Sequence, residues 1–227
     1  MDLSAIIAGF YARAGIVYLN NGETGSVTFI GTVSPAGGNL KEPVTESTKK
    51  AARCFYALSQ NRADSKRYPA IDTLDSYSKY LEYPEFVDYS KEKLDENWVG
   101  LVNEARNVLV RGKETEEQIN ILGDDSVPID YHVTLWKSEL VDFVILQQDA
   151  FDKIDATTSM ERQEYMLKKI INVTRSEFKF EGFEEVGTYF KRLINVFRQM
   201  NYTVFKSEEF HKAEEEANAV LEERIIK

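Results

Sequence analysis

Two short segments combine aromatic, proline and amide side chains, which are residue types suited to stacking on a flat ring and to hydrogen bonding at its edge. The first segment is RYPAIDTLDSYS, residues 67–78, in which Tyr68 directly precedes Pro69. Because a proline restricts the backbone of the residue before it, we expect Tyr68 on a loop or at a strand end, where its ring presents a rigid face that can stack on a base. Taken alone, the segment is more typical of an aromatic–proline turn that packs on its own domain.

The second segment is LQQDAFDKID, residues 146–155, which places two amides and one aromatic side chain at the end of an apolar stretch. Gln148, Ala150 and Phe151 stand together there, where a ring and an amide could meet a ligand. By itself the segment is more typical of an ordinary helix C-terminus with Phe151 in the core.

No other pattern predicts a catalytic or metal-ligating group. The sequence lacks G-x-x-x-x-G-K-[ST], G-x-G-x-x-G and G-x-S-x-G. The single cysteine, Cys54, excludes an internal disulfide and a cysteine-based zinc cluster, and it is predicted as a buried thiol on a helical stripe. His132 is expected to be structural because it adjoins an apolar stripe, whereas His211 and Glu214–Glu216 are expected on a solvated face.

Composition excludes several classes of protein. The chain has 227 residues, a formal net charge of −10 and 43% hydrophobic residues, so it is neither disordered nor collagen-like. The negative charge argues against nucleic-acid binding, which needs a basic face. No apolar run approaches the ~18 residues of a membrane span, and MDLSAIIAGF lacks the basic region of a signal peptide. We therefore expect a cytoplasmic protein without direct membrane insertion.

The elements that must position the two segments change character along the chain. Residues 16–19 and 26–33 are β-prone and flank an Asn-Gly turn, which predicts a hairpin. Pro43 is expected to open a helix whose apolar face carries Val44, Ala51, Ala52, Phe55 and Leu58.

From Pro84 onward the apolar spacing is almost purely helical. We expect helical stripes over 94–109, 133–146, 165–171 and 186–200, and a final acidic helix over 207–227. Gly112 and Gly123 are predicted helix stops, and Thr158 with Glu161 has the spacing of a capping box.

The predicted fold class is mainly α, a helical bundle over 84–227. It is preceded over 1–83 by a β-hairpin and a helix that we expect to be the end of an α/β domain whose beginning is missing. A lone hairpin is marginal in water, which favours this interpretation.

Three motifs in their order resemble the catalytic A (alpha) subunit of V-type and A-type rotary ATPases. They are GSVTFIGTVSPAGGNLKEPVT at 25–45, RYPAIDTLDSYS and LQQDAFDKID, and the resemblance runs from FYARAG at 10–15 through the C-terminal helices. It implies the end of a P-loop nucleotide-binding domain followed by the helical domain. Ala12 departs from the family's FYERAG, where a glutamate stands.

The resemblance also implies a binding site and partners. Tyr68 is similar to the ring that packs on adenine, Phe151 to the second wall of that pocket, and Pro69, Gln148 and Ala150 flank them. ATP or ADP with magnesium is implied for the intact ATP-hydrolysing or ATP-synthesising subunit, with no tight binding to this chain. In the family, the phosphate-binding loop, the magnesium ligand and the water-orienting glutamate lie upstream, so the chain alone is expected to be inactive.

The implied partners are non-catalytic B subunits and the central rotor stalk, in an ATPase head peripheral to the membrane. The alternative is an independent helical protein-interaction module, although such a module has no reason to begin with an unpaired hairpin. An unrelated small-molecule enzyme would need a nucleophile or metal constellation that the sequence does not offer.

Overall fold

A computed structural model describes residues 2–226 and shows a mainly α-helical chain whose first third also carries four short strands. The helices are α1 (Leu3–Tyr11), α2 (Pro43–Ala51), α3 (Gln60–Asp64), α4 (Pro84–Lys93), α5 (Trp98–Leu122), α6 (Ile129–Val141), α7 (Met160–Arg175), α8 (Phe183–Asn201) and α9 (Glu208–Glu222). The strands are β1 (Gly15–Tyr18), β2 (Thr24–Val27), β3 (Cys54–Leu58) and β4 (Ile71–Ser78). The predicted fold class is confirmed, and α4 begins at the residue where the sequence turns helical.

The predicted hairpin forms between β1 and β2. The strands are antiparallel, with Gly15 opposite Val27 and Tyr18 opposite Thr24. The Asn21 side chain fixes the turn by accepting a hydrogen bond from the Glu23 backbone at 3.1 Å. The second strand ends at Val27, so its predicted extension to residue 33 is wrong; the residues beyond it find no ladder partner in the described structure.

The segment after α2 is a strand, not the helix that the spacing predicts. The helix ends at Ala51, and β3 pairs antiparallel with β4, from Cys54 opposite Ser78 to Leu58 opposite Ile71. The apolar residues at 55 and 58 match a helical spacing by coincidence, and pairing with a β-prone neighbour overrides it. Cys54 is consequently a half-buried strand residue, and its prediction as a buried thiol on a helix is wrong.

Helix α5 continues through Gly112, where the sequence predicts a stop. The missing side chain at this buried position admits α6, because a Cβ on Gly112 would lie 2.1 Å from the Cβ of Ser138. Gly123 does end the helix, as predicted. Its φ of 86° suits glycine, and its N–H donates to the Ile119 carbonyl at 2.8 Å.

Helices α6 to α9 bury their apolar faces in one core, to which α5 adds partly buried residues. The predicted stripes of α6, α7 and α8 are therefore confirmed. The largest side chains that are fully enclosed belong to these four helices; they include Phe190, Phe197, Phe210, Leu140, Ile170 and Leu193.

Three details of the helical part differ from the sequence prediction. Ser159, not Thr158, caps α7, its Oγ accepting from the Arg162 N–H at 3.2 Å, so the predicted capping box with Glu161 does not form. Helix α6 closes in a π-helical turn over Asp142–Leu146. The last helix ends at Glu222, because Ile225 instead forms a β-bridge with Phe178; Lys227 lies outside the described residues.

The contact between α5 and α6 generates a test. Gly112→Ala should lower the free energy of unfolding by about 1–3 kcal/mol through overpacking, although alanine favours a helix by up to about 1 kcal/mol at an open position. Gly9→Ala in α1, where nothing lies within 4 Å of the added Cβ, is the matched control. Denaturant unfolding should show that Ser138→Gly restores most of the loss. An unchanged or raised stability for Gly112→Ala would contradict the close approach.

Candidate functional site

The two segments singled out by their side chains meet in the structure. The Gln148 backbone N–H donates to the Tyr68 carbonyl oxygen at 2.8 Å. This bond joins the loop after α3 to the loop after the π-helical turn, so residues that are distant in sequence form one junction between the β3–β4 hairpin and the helical core.

Tyr68 occupies the loop between α3 and β4, as predicted. Its side chain is half exposed, and its hydroxyl donates to the Ala63 carbonyl at 3.4 Å. One edge of the phenol is thus held against α3 while the ring remains accessible. Because 52% of the residue is exposed, this turn aromatic packs on its own domain only in part.

Phe151 lies on the loop between the π-helical turn and α7 and is 99% exposed. Its backbone N–H donates to Asp149 Oδ1 at 2.9 Å, which fixes the turn that carries the ring. The alternative in which Phe151 belongs to the core is therefore wrong. A fully exposed phenylalanine on an ordered turn is a surface suited to a flat apolar ligand.

Asp155 stabilises the loop that carries Phe151. Its buried Oδ2 accepts from the Asp149 N–H at 2.6 Å, and its carbonyl accepts from Gln148 Nε2 at 2.8 Å. The Gln148 amide is thereby engaged inside the loop. Burial raises the pKa of the Asp155 carboxyl above its ordinary value, and burial lowers the pKa of the Arg162 guanidinium nearby.

Four charged side chains, called here the Asp142 cluster, lie behind the junction: Arg62, Arg67, Glu139 and Asp142. Arg67 binds Glu139 through two N–O contacts of 3.1 and 2.7 Å and binds Asp142 Oδ2 at 2.7 Å. Arg62 pairs with Asp142 Oδ1 at 2.8 Å. Burial lowers the pKa of Arg67, but its hydrogen bonds with the two carboxylates outweigh that effect and leave the pKa raised.

A cavity of about 830 Å³ lies between β4 and the helices, with a mostly apolar lining. Pro69 and Gln148 line it, whereas Tyr68, Ala150 and Phe151 do not. Two of the five predicted binding residues therefore line this cavity, whereas the rings of Tyr68 and Phe151 are exposed. Arg106 closes part of the wall by donating to the carbonyls of Thr73, Leu74 and Ser76.

The other candidate side chains have structural surroundings. His132 is buried, with Nε2 3.2 Å from the Asp124 carbonyl oxygen and its ring stacked on Phe183 at 5.1 Å. His211 is exposed and lies 3.6 Å from Glu214. Glu214 itself is largely buried and pairs with Lys169 at 2.7 Å, so its assignment to a solvated face is wrong.

The described residues offer no cluster of side chains that would hold a magnesium ion by themselves. Over 2–226, His, Cys, Asp and Glu side chains form no group of three or more that could hold a metal. Within the same range, no helix has both the length and the apolar character needed to cross a bilayer. What the junction offers is ring faces and apolar lining, which suit an aromatic base better than a phosphate.

Sequence reasoning does not identify the Asp142 cluster. A signal was nevertheless present, because Asp142 stands inside the apolar run Leu140–Val144 and Arg67 directly precedes Tyr68. A carboxylate in a buried stripe requires a cationic partner, and the sequence supplies no hint of which arginine provides it.

Two family descriptions match the chain in succession. Residues 1–78 match the ATP synthase alpha/beta family, nucleotide-binding domain, and residues 88–181 match the C-terminal domain of V and A type ATP synthase.

Similar proteins agree with these matches. The V-type ATP synthase alpha chain of Borrelia duttonii (strain Ly) is 43% identical over 93% of this chain, and that of Treponema denticola is 40% identical over 94%. The chain spans 34% of the length of each of these relatives. The solved structure of the ATP synthase subunit NeqB from Nanoarcheaum equitans has a similar fold, with a TM-score of 0.54 at 23% identity over 76% of this chain and 39% of that one.

The buried carboxyl of Asp155 generates a pH prediction. Its raised folded-state pKa means that the charged form costs stability at neutral pH, and that this cost disappears as the pH falls through the raised pKa towards the ordinary value. The stability of the native chain relative to Asp155→Asn should therefore rise between pH 7 and pH 4, as measured by urea unfolding of both proteins. A relative stability that falls over this range would mean that the native pKa is depressed instead.

Proposed function

The chain belongs to the ATP synthase alpha/beta family and corresponds to the C-terminal part of a V-type alpha chain, and we propose that it supplies the adenine side of that subunit's nucleotide site. The observation that carries the proposal is the junction itself. Tyr68 and Phe151 come from separate segments, are joined through the Tyr68–Gln148 backbone bond, and both keep their rings exposed.

Physical chemistry favours a base as the ligand of these rings. Exposing a phenylalanine almost completely forgoes the free energy of burying it, about 1.5–3 kcal/mol, which a stacked base restores on binding. Stacking on aromatic side chains contributes ~1–3 kcal/mol per base. Pro69 restricts the backbone at Tyr68, and the Asp149 and Asp155 contacts fix the turn at Phe151, so little ordering remains to be paid on binding.

The proposal assigns ATP hydrolysis or synthesis to the intact subunit and none of it to this chain alone. Phosphoryl transfer depends on a loop that cradles the phosphates, a lysine and a magnesium ion. The sequence has no such loop, and the described residues contain no group of three or more metal-ligating side chains. ATP or ADP with magnesium is accordingly the ligand of the whole site, of which these residues would contact the base.

The helical bundle has a second part in the proposal. We infer that α5 to α9 form the domain that passes the nucleotide state to the central rotor stalk, with non-catalytic B subunits as neighbours in the head of the complex. Their shared core supports movement as one body, since close-packed protein interiors transmit displacement rather than absorb it. As part of such a head, the subunit would lie peripheral to the membrane on its cytoplasmic side.

The first functional prediction concerns the purified chain. It should not hydrolyse ATP, because the groups that position and neutralise the phosphates are missing from its sequence. Phosphate release measured over hours, with a chromatographically matched blank, tests this. Turnover that copurifies with the chain through two different columns would contradict the assignment of the chemistry to the rest of the subunit.

The second functional prediction concerns the rings. In the assembled ATPase that contains this subunit, Tyr68→Ala and Phe151→Ala should each raise the KM for ATP by about tenfold and change kcat little. The reason is that adenine takes no part in the bond-breaking step, so its contacts stabilise ground state and transition state equally.

Tyr89→Ala is the matched control for these substitutions. Tyr89 is exposed to a similar degree, 47% against 52% for Tyr68, but lies on α4. It should leave both constants unchanged. A loss of kcat at unchanged KM for Tyr68→Ala would mean that this residue positions the chemistry rather than the base, and would overturn the proposal.

A further inference from the structure

The Asp142 cluster has a connectivity that an ordinary surface ion pair lacks. The Asp142 side chain is 7% exposed and contacts both arginines, Arg62 through Oδ1 and Arg67 through Oδ2. Its backbone carbonyl accepts from the Gln147 N–H at 2.9 Å and so closes the π-helical turn. One residue therefore binds both the segment that carries Tyr68 and the segment that leads to Phe151.

The contacts around Asp142 form a closed circuit. Arg67 is covalently followed by Tyr68, the Tyr68 carbonyl accepts from Gln148, and Gln147 returns to the Asp142 carbonyl. In such a circuit, displacing the carboxylate shifts both loops together.

The contacts of Arg67 hold its guanidinium in one orientation. Its guanidinium meets Glu139 through two parallel contacts and lies 4.6 Å from the centre of the Phe143 ring. A planar fork bound on two edges and one face has a single orientation, which a lysine ammonium does not. The Arg67 side chain thus anchors the segment that enters Tyr68 to the end of α6.

We propose that Asp142, acting through Arg67 and supported by Glu139 and Arg62, is a positioning residue that sets the spacing of Tyr68 and Phe151. This inference rests on the proposed function, because it presumes that the two rings hold the base. Asp142 would not contact the base itself. Its carboxylate would keep the loops of Tyr68 and Phe151 at a fixed distance from each other.

The test uses the assembled ATPase and three variants of graded severity. Glu139→Gln keeps the shape of a partly exposed partner, Arg67→Lys keeps the charge without the fork, and Asp142→Asn removes the central charge. Each should raise the KM for ATP, by several-fold for the first two and about tenfold or more for Asp142→Asn, with kcat changed less than about twofold.

Arg175→Lys is the matched control. Arg175 also forms a two-pronged pair, with Glu104 at 2.7 and 2.6 Å, but it joins α7 to α5, and its hydrogen bonds go to Glu104 and Asn172, outside the Asp142 cluster. Arg175→Lys removes a two-pronged guanidinium–carboxylate pair, as Arg67→Lys does, but leaves the Asp142 cluster intact. It should therefore leave the KM for ATP unchanged.

Hydrogen exchange supplies a readout that a merely structural role would not give. In the cluster variants, exchange should accelerate in peptides covering residues 146–151, where the Gln147 and Gln148 amides are bonded, and stay unchanged in α7 and α8. Faster exchange throughout the bundle together with a lower kcat would identify the cluster as a stability element only, and would overturn the proposal.

The two proposals fail in different ways. If Tyr68→Ala raises KM while Arg67→Lys and Glu139→Gln do not, the rings bind the base and the positioning role is wrong. If Tyr68→Ala leaves KM unchanged, the base site is wrong, and the positioning of a base by Asp142 falls with it. Should Asp142→Asn fail to assemble because it leaves Arg62 without its carboxylate partner, the two milder variants still decide the question.

Discussion

A carboxylate buried at the end of α6 constrains how the two parts of this chain can join. Asp142 lies in an apolar run whose neighbours Val141 and Val144 belong to the core, so its charge is removed from water by the same packing that stabilises the bundle. A buried charge of this kind is tolerated only when it is paired. The pairing comes from Arg62 and Arg67, and α3 and the loop after it, which carry them, must therefore lie against α6.

Most of the remaining geometry follows from that requirement. With α3 and its following loop held at α6, β4 leaves the loop in a fixed direction and pairs with β3, and Arg106 of α5 binds three of its carbonyls. The π-helical turn brings the chain back past the same point. The exposed rings are thus held through partly buried polar contacts behind them, which matches the usual division between a rigid scaffold and exposed loops.

Periodicity predicted the parts of this fold that packing decides. The stripes of α6, α7 and α8 are long and each has one apolar face, so burial and helix formation favour the same conformation. The residues at 54–58 illustrate the opposite case. Their helical spacing covers too few positions to outweigh pairing with β4, and the partner strand lies beyond α3, where no local pattern reveals it. The predicted helix stop at Gly112 was wrong for a related reason, since this glycine makes room for Ser138 of α6.

The candidate site could be predicted from the sequence only in part, and there is a physical reason why some of its residues were predicted and others were not. Aromatic and proline residues reveal a rigid ring from local sequence alone, which placed Tyr68 on its loop, but nothing local distinguishes an exposed Phe151 from a buried one. That outcome depends on Asp149 and Asp155 turning the chain outward. The Asp142 cluster is harder still to predict from the sequence, because Arg67 and Asp142 come close to each other only after folding. The proposed ring residues therefore leave a signal in the local sequence, while the residues that hold them in place become visible only through their contacts.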